Sequence, residues 1–152
     1  MKRSLRELSG LPVWGATAAG AMLTLQFGAS RDEVKRDGNV VAVGERALHV
    51  QCPWRFTAGG RVLVGSDDCI AGGDRPGVEG VSERLRGVLD GRPRRCTVHG
   101  SASADIRMET EDDPVLEAFA AAGVHGSTLE AWRVLAGSRH FVVMCDGSED
   151  AG

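Results

Sequence analysis

The sequence predicts a mainly β protein, α+β at most, in which two similar antiparallel β halves form a sandwich or a partly open barrel with one short helix near residues 80–90. Three observations support this fold class. The stretch WRFTAGGRVLVGSDD (54–68) nearly recurs as WRVLAGSRHFVVMCD (132–146), the 21 glycines indicate many turns, and one segment has helical spacing. We predict a single domain, 1–152, with quasi-repeated halves of about 20–70 and 96–146 joined by a loop-helix segment, 71–95.

The two similar stretches align without a gap and are identical at seven of 15 positions. In the first copy these positions are Trp54, Arg55, Ala58, Gly59, Arg61, Val64 and Asp68. Each copy reads as a strand that starts at Trp, a turn at Ala-Gly and a returning apolar strand, which is the pattern of a β-hairpin. Two hairpins in one chain predict two halves around a pseudo-twofold axis, by duplication or as two similar solutions.

The N-terminal part of the chain predicts no membrane or export segment. The uncharged run 11–27 superficially resembles a secretory signal, but its middle, GATAAGA, carries small residues where a signal would carry Leu or Val. The run is also short and Gly-rich for a membrane helix. A first strand is predicted over 22–27, where apolar and polar residues alternate, and residues 29–39 are predicted to be a charged connector with a hairpin tip.

The next segments complete the first half and the connection. Residues 46–56 predict a strand that bulges or lies at an edge, because Pro53 cannot donate a ladder hydrogen bond. A polar loop at 66–80 leads into the predicted helix. Its apolar residues fall at helical spacing, and Gly and Pro follow as stop signals. These residues are Val81, Leu85, Val88 and Leu89.

The second half predicts a similar series of elements. Residues 96–108 read as a strand broken by GSASA, while 115–119 could be a strand or a helical turn. The second Trp-Arg lies in the segment 129–135, and 139–144 is an apolar strand. The final residues, DGSEDAG, are predicted to be a frayed acidic tail.

The shared Trp-Arg pairs give the candidate binding residues. Adjacent residues of a strand point to opposite faces, so we expect Trp54 and Trp132 to point into the core and Arg55 and Arg133 to point outward. The alternative is that the two arginines present forked donors to a carboxylate or phosphate of a partner.

Catalytic and metal-binding patterns are weak in this sequence. His49 and Cys52 have a possible metal-pair spacing, but residues three apart on a strand face opposite sides. His99, His125 and His140 are scattered, and four separated cysteines read as reduced thiols. We therefore predict no metal, no cofactor and no catalytic residue. The Ser hydroxyl and the two carboxylates of SDD (66–68) could provide a nucleophile or the ligands of a hard metal ion, although such residues more commonly form solvated turns.

The net charge and charge pattern of the chain do not favour a polyanionic partner. The formal net charge is -3, and the one dense basic stretch, RPRRC (92–96), follows the predicted helix, whose dipole favours basic side chains at that end. The carboxylates of ETEDD (109–113) read as an acidic turn. We predict no nucleic-acid partner and no membrane partner.

The elements HVQCPWR (49–55), GSDD (65–68), EAWR (130–133) and HFVV (140–143) resemble a family of small uncharacterised proteins from high-GC actinobacteria. The resemblance spans about 22–144. It implies no activity, because no function or catalytic residue is assigned to that family.

Together these observations favour a cytoplasmic, non-enzymatic binding module, an immunity-type or accessory protein that holds a protein partner or a second copy of itself. The alternative is a small-ligand carrier or small enzyme that uses a cleft between the two β halves. In that alternative Arg55, Arg133, His49 and His140 converge at the mouth of the cleft. With Trp54 and Trp132, these four residues are the candidate ligand-binding or partner-binding residues.

Overall fold

Alternating apolar residues build two antiparallel β-sheets that face each other in a computed structural model describing residues 1–70, 72–121 and 126–152. The strands are β1 (Val13–Ala19), β2 (Met22–Val34), β3 (Val40–Val50), β4 (Trp54–Ala58), β5 (Arg61–Gly65), β6 (Asp90–Arg94), β7 (Cys96–Gly100), β8 (Ile106–Thr110), β9 (Val115–Ala118), β10 (Glu130–Ala136), β11 (Arg139–Met144) and β12 (Glu149–Ala151). The helices are α1 (Arg3–Arg6) and α2 (Gly77–Val88), and short 3-10 turns span Ser66–Cys69 and Gly126–Thr128.

The strand order confirms a mainly β fold of the sandwich type. Sheet 1 has the order β12-β11-β10-β3-β2-β1-β6, and sheet 2 has the order β5-β4-β9-β8-β7. Sheet 1 therefore joins β1–β3 of the first half to β10–β12 of the second half and adds β6 at its edge, whereas sheet 2 joins the β4–β5 hairpin of the first half to β7–β9 of the second. Neither sheet closes into a barrel within the described ranges.

The inward faces of both sheets supply one hydrophobic core. On the central strands of sheet 1, Leu25, Leu48 and Val134 lie side by side and are fully buried, and Met108, Leu116 and Phe56 do the same in sheet 2. Helix α2 packs against β1 and β5, whereas α1 packs against β7, β10 and β11, so each helix contacts both sheets. The predicted helix residues Val81, Leu85, Val88 and Leu89 are all buried.

Two tryptophans connect the sheets by hydrogen bonds. Trp54 begins β4 in sheet 2, and its indole Nε1–H donates to the carbonyl of Ala21 in the β1–β2 turn of sheet 1, at 2.8 Å. Trp132 lies on β10 in sheet 1, and its Nε1–H donates to Ala104 in the β7–β8 loop of sheet 2, also at 2.8 Å. Each indole therefore fills the core and satisfies a carbonyl of the opposite sheet.

Two early segments differ from the sequence-based expectation. The Gly- and Ala-rich run expected to precede the first strand is itself strand β1, whose Val13 and Ala16 are buried. The expected charged connector 29–39 is largely strand, since β2 continues to Val34 and β3 begins at Val40. Cross-strand pairing holds this ribbon, whose Val41 and Val43 are only partly buried, and residues 35–39 form its turn.

Two later segments also differ. Pro53 produces neither a bulge nor an edge strand. Strand β3 ends at Val50, and Pro53 lies in the crossover to β4 of sheet 2, where a residue without an N–H is tolerated. The C-terminal tail is not frayed, because β12 pairs with β11 and the Glu149 carboxylate accepts the backbone N–H groups of Arg3 and Ser4. The ambiguous segment 115–119 forms a strand, β9.

The β2–β3 hairpin continues past the body of sheet 1 as a two-stranded ribbon, residues 29–44, which we call the arm. Its base is a bulge at Gly28, whose φ of +77° favours glycine. Gly44 lies opposite, where an added Cβ would come within 2.4 Å of the Phe27 carbonyl oxygen. Trp14 Nε1–H donates to the Gly28 carbonyl at 2.9 Å, so the bend is held from β1 as well.

No helix among the residues that the structure describes has the length and apolar character needed to cross a bilayer.

The indole bonds between the sheets give a stability prediction. Trp132→Phe leaves the buried Ala104 carbonyl without a donor and creates a small cavity, so we expect a loss of about 2–4 kcal/mol in the free energy of unfolding. Trp14→Phe, which removes an indole bond at a half-buried position, should cost clearly less. Urea denaturation of both variants measures the difference, and equal losses would contradict a special role for the inter-sheet bond.

Candidate functional site

The Trp-Arg pairs have the inward and outward orientation that the sequence predicts. Trp54 and Trp132 are 2% and 0% exposed, whereas Arg55 is exposed and Arg133 is partly exposed. The hairpin register differs by one residue from a regular ladder: a bulge after Phe56 places Arg55 opposite Gly65 rather than Val64. The tryptophans therefore belong to the core, and any chemistry of these pairs belongs to the arginines.

Arg55 lies on the outer face of sheet 2 in a row of alternating charges. Its Nε is 3.4 Å from Glu117 Oε1, and its guanidinium lies over the Phe119 ring at 5.2 Å from the ring centre. Arg107 contacts the same Glu117 at 3.6 Å and also pairs with Glu109. Arg55 is thus already engaged by a carboxylate and an aromatic ring of its own chain.

Arg133 lies on the outer face of sheet 1, where it forms a cluster with two neighbours. It donates from Nε and Nη2 to the two carboxylate oxygens of Glu130 at 2.6 and 2.5 Å, and His49 lies directly opposite it on β3. We call Glu130, Arg133 and His49 the His49 cluster. The sequence contained its signal, a Glu three residues before an Arg, but in a strand this spacing does not by itself predict a contact. The bulge at Ala131 brings Glu130 and Arg133 together.

The electrostatics of the His49 cluster follow from partial burial and from these contacts. Burial, followed by the nearby Arg133 guanidinium, lowers the pKa of His49 below its ordinary 6.5, and Glu130 opposes this shift. The hydrogen bonds from Arg133 lower the pKa of Glu130. The lowered pKa of Glu130 favours its ionised form beside the Arg133 guanidinium, and the lowered pKa of His49 favours its neutral imidazole at neutral pH.

His140 lies apart from the His49 cluster. It faces Leu135 across the β10–β11 ladder and exchanges two backbone hydrogen bonds with Gly152. The expectation that His49, His140, Arg55 and Arg133 converge on one cleft is therefore wrong. Arg55 is on the outer face of one sheet and the other three residues belong to the opposite sheet, so the thickness of the sandwich separates them.

The cysteines and histidines make no metal centre in the residues described, where no group of three or more metal-binding side chains occurs. Burial raises the pKa of Cys52 to about 12, so this residue remains a thiol at neutral pH. It lies in the crossover between β3 and β4 and forms no pair with His49 along a strand. His125 lies outside the described residues.

The basic stretch RPRR and the acidic turn EDD, which the sequence presents as unrelated, pair with each other. Arg94, only 4% exposed, donates to Asp112 at 2.6 Å and lies 3.2 Å from Asp90. Arg92 also pairs with Asp112, and Arg95 pairs with Glu111 at 3.0 Å. The arginine hydrogen bonds lower the pKa of both Asp112 and Glu111. The only dense basic stretch in the sequence is thus neutralised by its own chain.

Comparison with known proteins returns no match, whether family models, curated proteins or solved structures are searched. The resemblance to the actinobacterial family remains an expectation based on the quoted motifs.

The His49 cluster predicts a titration with a defined sign. Because the pKa of His49 is lower in the folded than in the unfolded chain, protonation favours unfolding, and His49 should lower stability as the pH falls through 6.5 toward its folded pKa. NMR titration of the His49 ring should give a pKa below 6.5. Glu130→Gln should lower that pKa further, Arg133→Gln should raise it, and the remote Arg139→Gln should leave it unchanged. Opposite shifts would contradict the described electrostatics.

The arginine–carboxylate pairs predict a second difference between variants. Asp112→Asn removes the nearer of the two carboxylates that pair with buried Arg94 and leaves Asp90, so we expect a loss of about 1–3 kcal/mol in the free energy of unfolding. Glu109→Gln breaks an exposed pair on the neighbouring strand and should change stability little. Thermal and urea denaturation at pH 7 test this pair, and equal stabilities would show that Asp90 alone is sufficient for Arg94.

Proposed function

We propose that this protein is a non-enzymatic binding module of the cytoplasm, in the class of immunity-type and accessory proteins, and that it holds protein chains at an apolar patch beside β5. The patch consists of Val62, Leu63 and Ile70. Their exposed fractions are 59%, 39% and 48%, although each is a large apolar residue. Val62 and Leu63 are consecutive on β5, and Ile70 follows the 3-10 turn that packs beside this strand. Exposed apolar side chains grouped in one region of the surface are typical of protein–protein contacts.

The position of the patch supports a protein partner. Strand β5 is an edge strand of sheet 2, so the sheet ends there. The bulge between Phe56 and Thr57 explains why Val62 and Leu63 are exposed together rather than alternating. Helix α2 and the 3-10 turn Ser66–Cys69 pack beside this strand and provide a fixed support.

The charges around the patch favour a second copy of the chain as the partner. Arg61 precedes Val62, and Asp67 lies at the other end of the strand, and neither side chain has an ion pair within the described part of the chain. A twofold rotation places the Arg61 end of one patch against the Asp67 end of the other. Opposite charges then meet at both ends of an isologous contact.

The remaining charges support a protein rather than a nucleic-acid partner. The net charge is -3, and the basic stretch around Arg94 is paired with carboxylates. The alternative function, a carrier or enzyme with Arg55, Arg133, His49 and His140 in one cleft, has no support from the geometry, because these side chains do not converge.

The proposal predicts a self-association that a single charge removes. The wild-type protein should form dimers at concentrations between about 10 µM and 1 mM, the range of modest interfaces. Leu63→Lys should raise the dimer dissociation constant by about tenfold or more, because it buries an ammonium group in the apolar contact. Size-exclusion chromatography with light scattering and sedimentation equilibrium measure this constant.

The matched control is Val40→Lys, which changes a similarly exposed apolar residue, 60% exposed, at the tip of the arm. This variant should dimerise like the wild type. A wild-type protein that is monomeric up to 1 mM, or a dimer that Val40→Lys disrupts and Leu63→Lys does not, would overturn the assignment of the patch.

A further inference from the structure

The arm and the outer face of sheet 1 enclose a cleft that neither the sequence motifs nor the apolar patch account for. Its volume is about 580 Å³, within the range of about 300–1,000 Å³ in which small-molecule sites occur. Strands β1 and β2 form its floor, the arm forms one wall, and the end of α2 with the start of β6 forms the other. The bulge at Gly28 lies at the base of this arm.

One part of the cleft is apolar. Trp14, Val41 and Val43 line it and are half-buried, and Leu89 lines it from the end of α2 at 2% exposure. Trp14 is held in place by its hydrogen bond to the Gly28 carbonyl. A second cleft of about 500 Å³ shares Trp14 with the first, so an apolar chain has room to continue past the indole.

The floor of the cleft carries polar groups with spare hydrogen-bonding capacity. Thr17 and Thr24 face each other across the β1–β2 ladder, and no hydrogen bond of either hydroxyl occurs among the residues described. Gln26 accepts the Gly44 N–H with its Oε1 at 2.8 Å, which leaves its amide N–H groups for another acceptor. These donors lie beside the apolar part, an arrangement that orients an amphipathic ligand.

The two acidic residues that line the cleft are paired with cations, whereas its two basic residues have no ion pair in the described part of the chain. Of the four ionisable lining residues, Asp90 lies 3.2 Å from Arg94 and accepts the Arg92 N–H, and Glu33 lies 3.7 Å from Arg31. The two cations, Lys35 on the arm and Arg86 on α2, have no ion pair in the ranges described. The cleft therefore offers two cations from opposite walls to an incoming anion.

We propose that this cleft binds a small amphipathic organic anion, with its carboxylate at Lys35 and Arg86 and its apolar chain against Trp14, Val43 and Leu89. The size of the cleft and its continuation past Trp14 fit an unbranched aliphatic chain. A polyanion does not fit, because Glu33 and Asp90 flank the two cations. This binding goes beyond self-association and does not depend on it, since the apolar patch lies on the other sheet.

The first test is an NMR titration of the wild-type protein with octanoate, and separately with 1-octanol, which has the same chain and no charge. Octanoate should shift the Trp14 indole N–H and the amides of Gly15, Thr17 and Thr24 in a saturable manner. Octanol should shift the same signals with an affinity about tenfold weaker, as expected for the loss of two exposed ion pairs. Shifts confined to other surfaces, or no saturable shift, would overturn the proposal.

The second test separates charge from packing. Lys35→Gln combined with Arg86→Gln should weaken octanoate binding about tenfold and leave octanol binding unchanged. The matched control combines Arg36→Gln and Arg84→Gln, which neutralises two neighbouring exposed cations that do not line the cleft. If the control weakens octanoate binding as much as the first pair does, binding is only a general charge effect and the proposal fails.

Discussion

The two indole hydrogen bonds between the sheets are the interaction on which the rest of the structure depends. Each tryptophan lies at or near the start of a hairpin. That hairpin pairs with strands of the other half of the chain rather than with the meander that precedes it in its own half. The indole Nε1–H then returns to the turn that opens the preceding meander, at Ala21 or Ala104. The exchange of hairpins joins the halves within each sheet, and the indoles fix the spacing between the sheets.

This arrangement decides where the ionisable groups can lie. A strand that places Trp, Phe or Leu inward places its neighbours on the outer face, and the core between two stacked sheets is about 10 Å thick. The two arginines that follow the tryptophans therefore project from opposite sides of the sandwich. Each finds a glutamate on its own face, Glu117 or Glu130, and becomes part of a local charge pair. These charged side chains are thus confined to separate outer surfaces rather than to a shared interior.

The mainly antiparallel β fold, helix α2 and the orientation of the Trp-Arg pairs could be predicted from the sequence, because they follow from local periodicity and from the burial of large aromatic residues. The partners of those arginines could not. Glu117 is separated from Arg55 by 62 residues, and only the β4–β9 register brings them together. Likewise, no local pattern predicts that Arg94, at the end of β6 in sheet 1, pairs with Asp112 in the β8–β9 turn of sheet 2.

The arm and β1 escaped prediction for a different reason. Small or polar residues carry little hydrophobic period, so the alternation used to recognise strands is absent, although backbone pairing still forms. The bulge at the base of the arm depends on the positive φ of Gly28 and on the absence of a Cβ at Gly44. Neither property can be read from the composition of the segment. The cleft beside Trp14 is lined by residues from the arm, from β1 and β2 and from the end of α2, which are far apart in sequence, so no local motif predicts it.

The exchange of hairpins also has a consequence for the order in which the chain acquires its structure. While the protein is being synthesised, β1, β2 and β3 can pair as soon as they emerge. The other neighbour of β3 is β10, more than 80 residues later. The β4–β5 hairpin likewise waits for β9. Until then both elements expose open edges. Trp54, which is buried in the folded protein, lacks most of the core that surrounds it there. Native contacts so distant in sequence make folding slow and late, and they make completion of the second half the event that commits the whole chain.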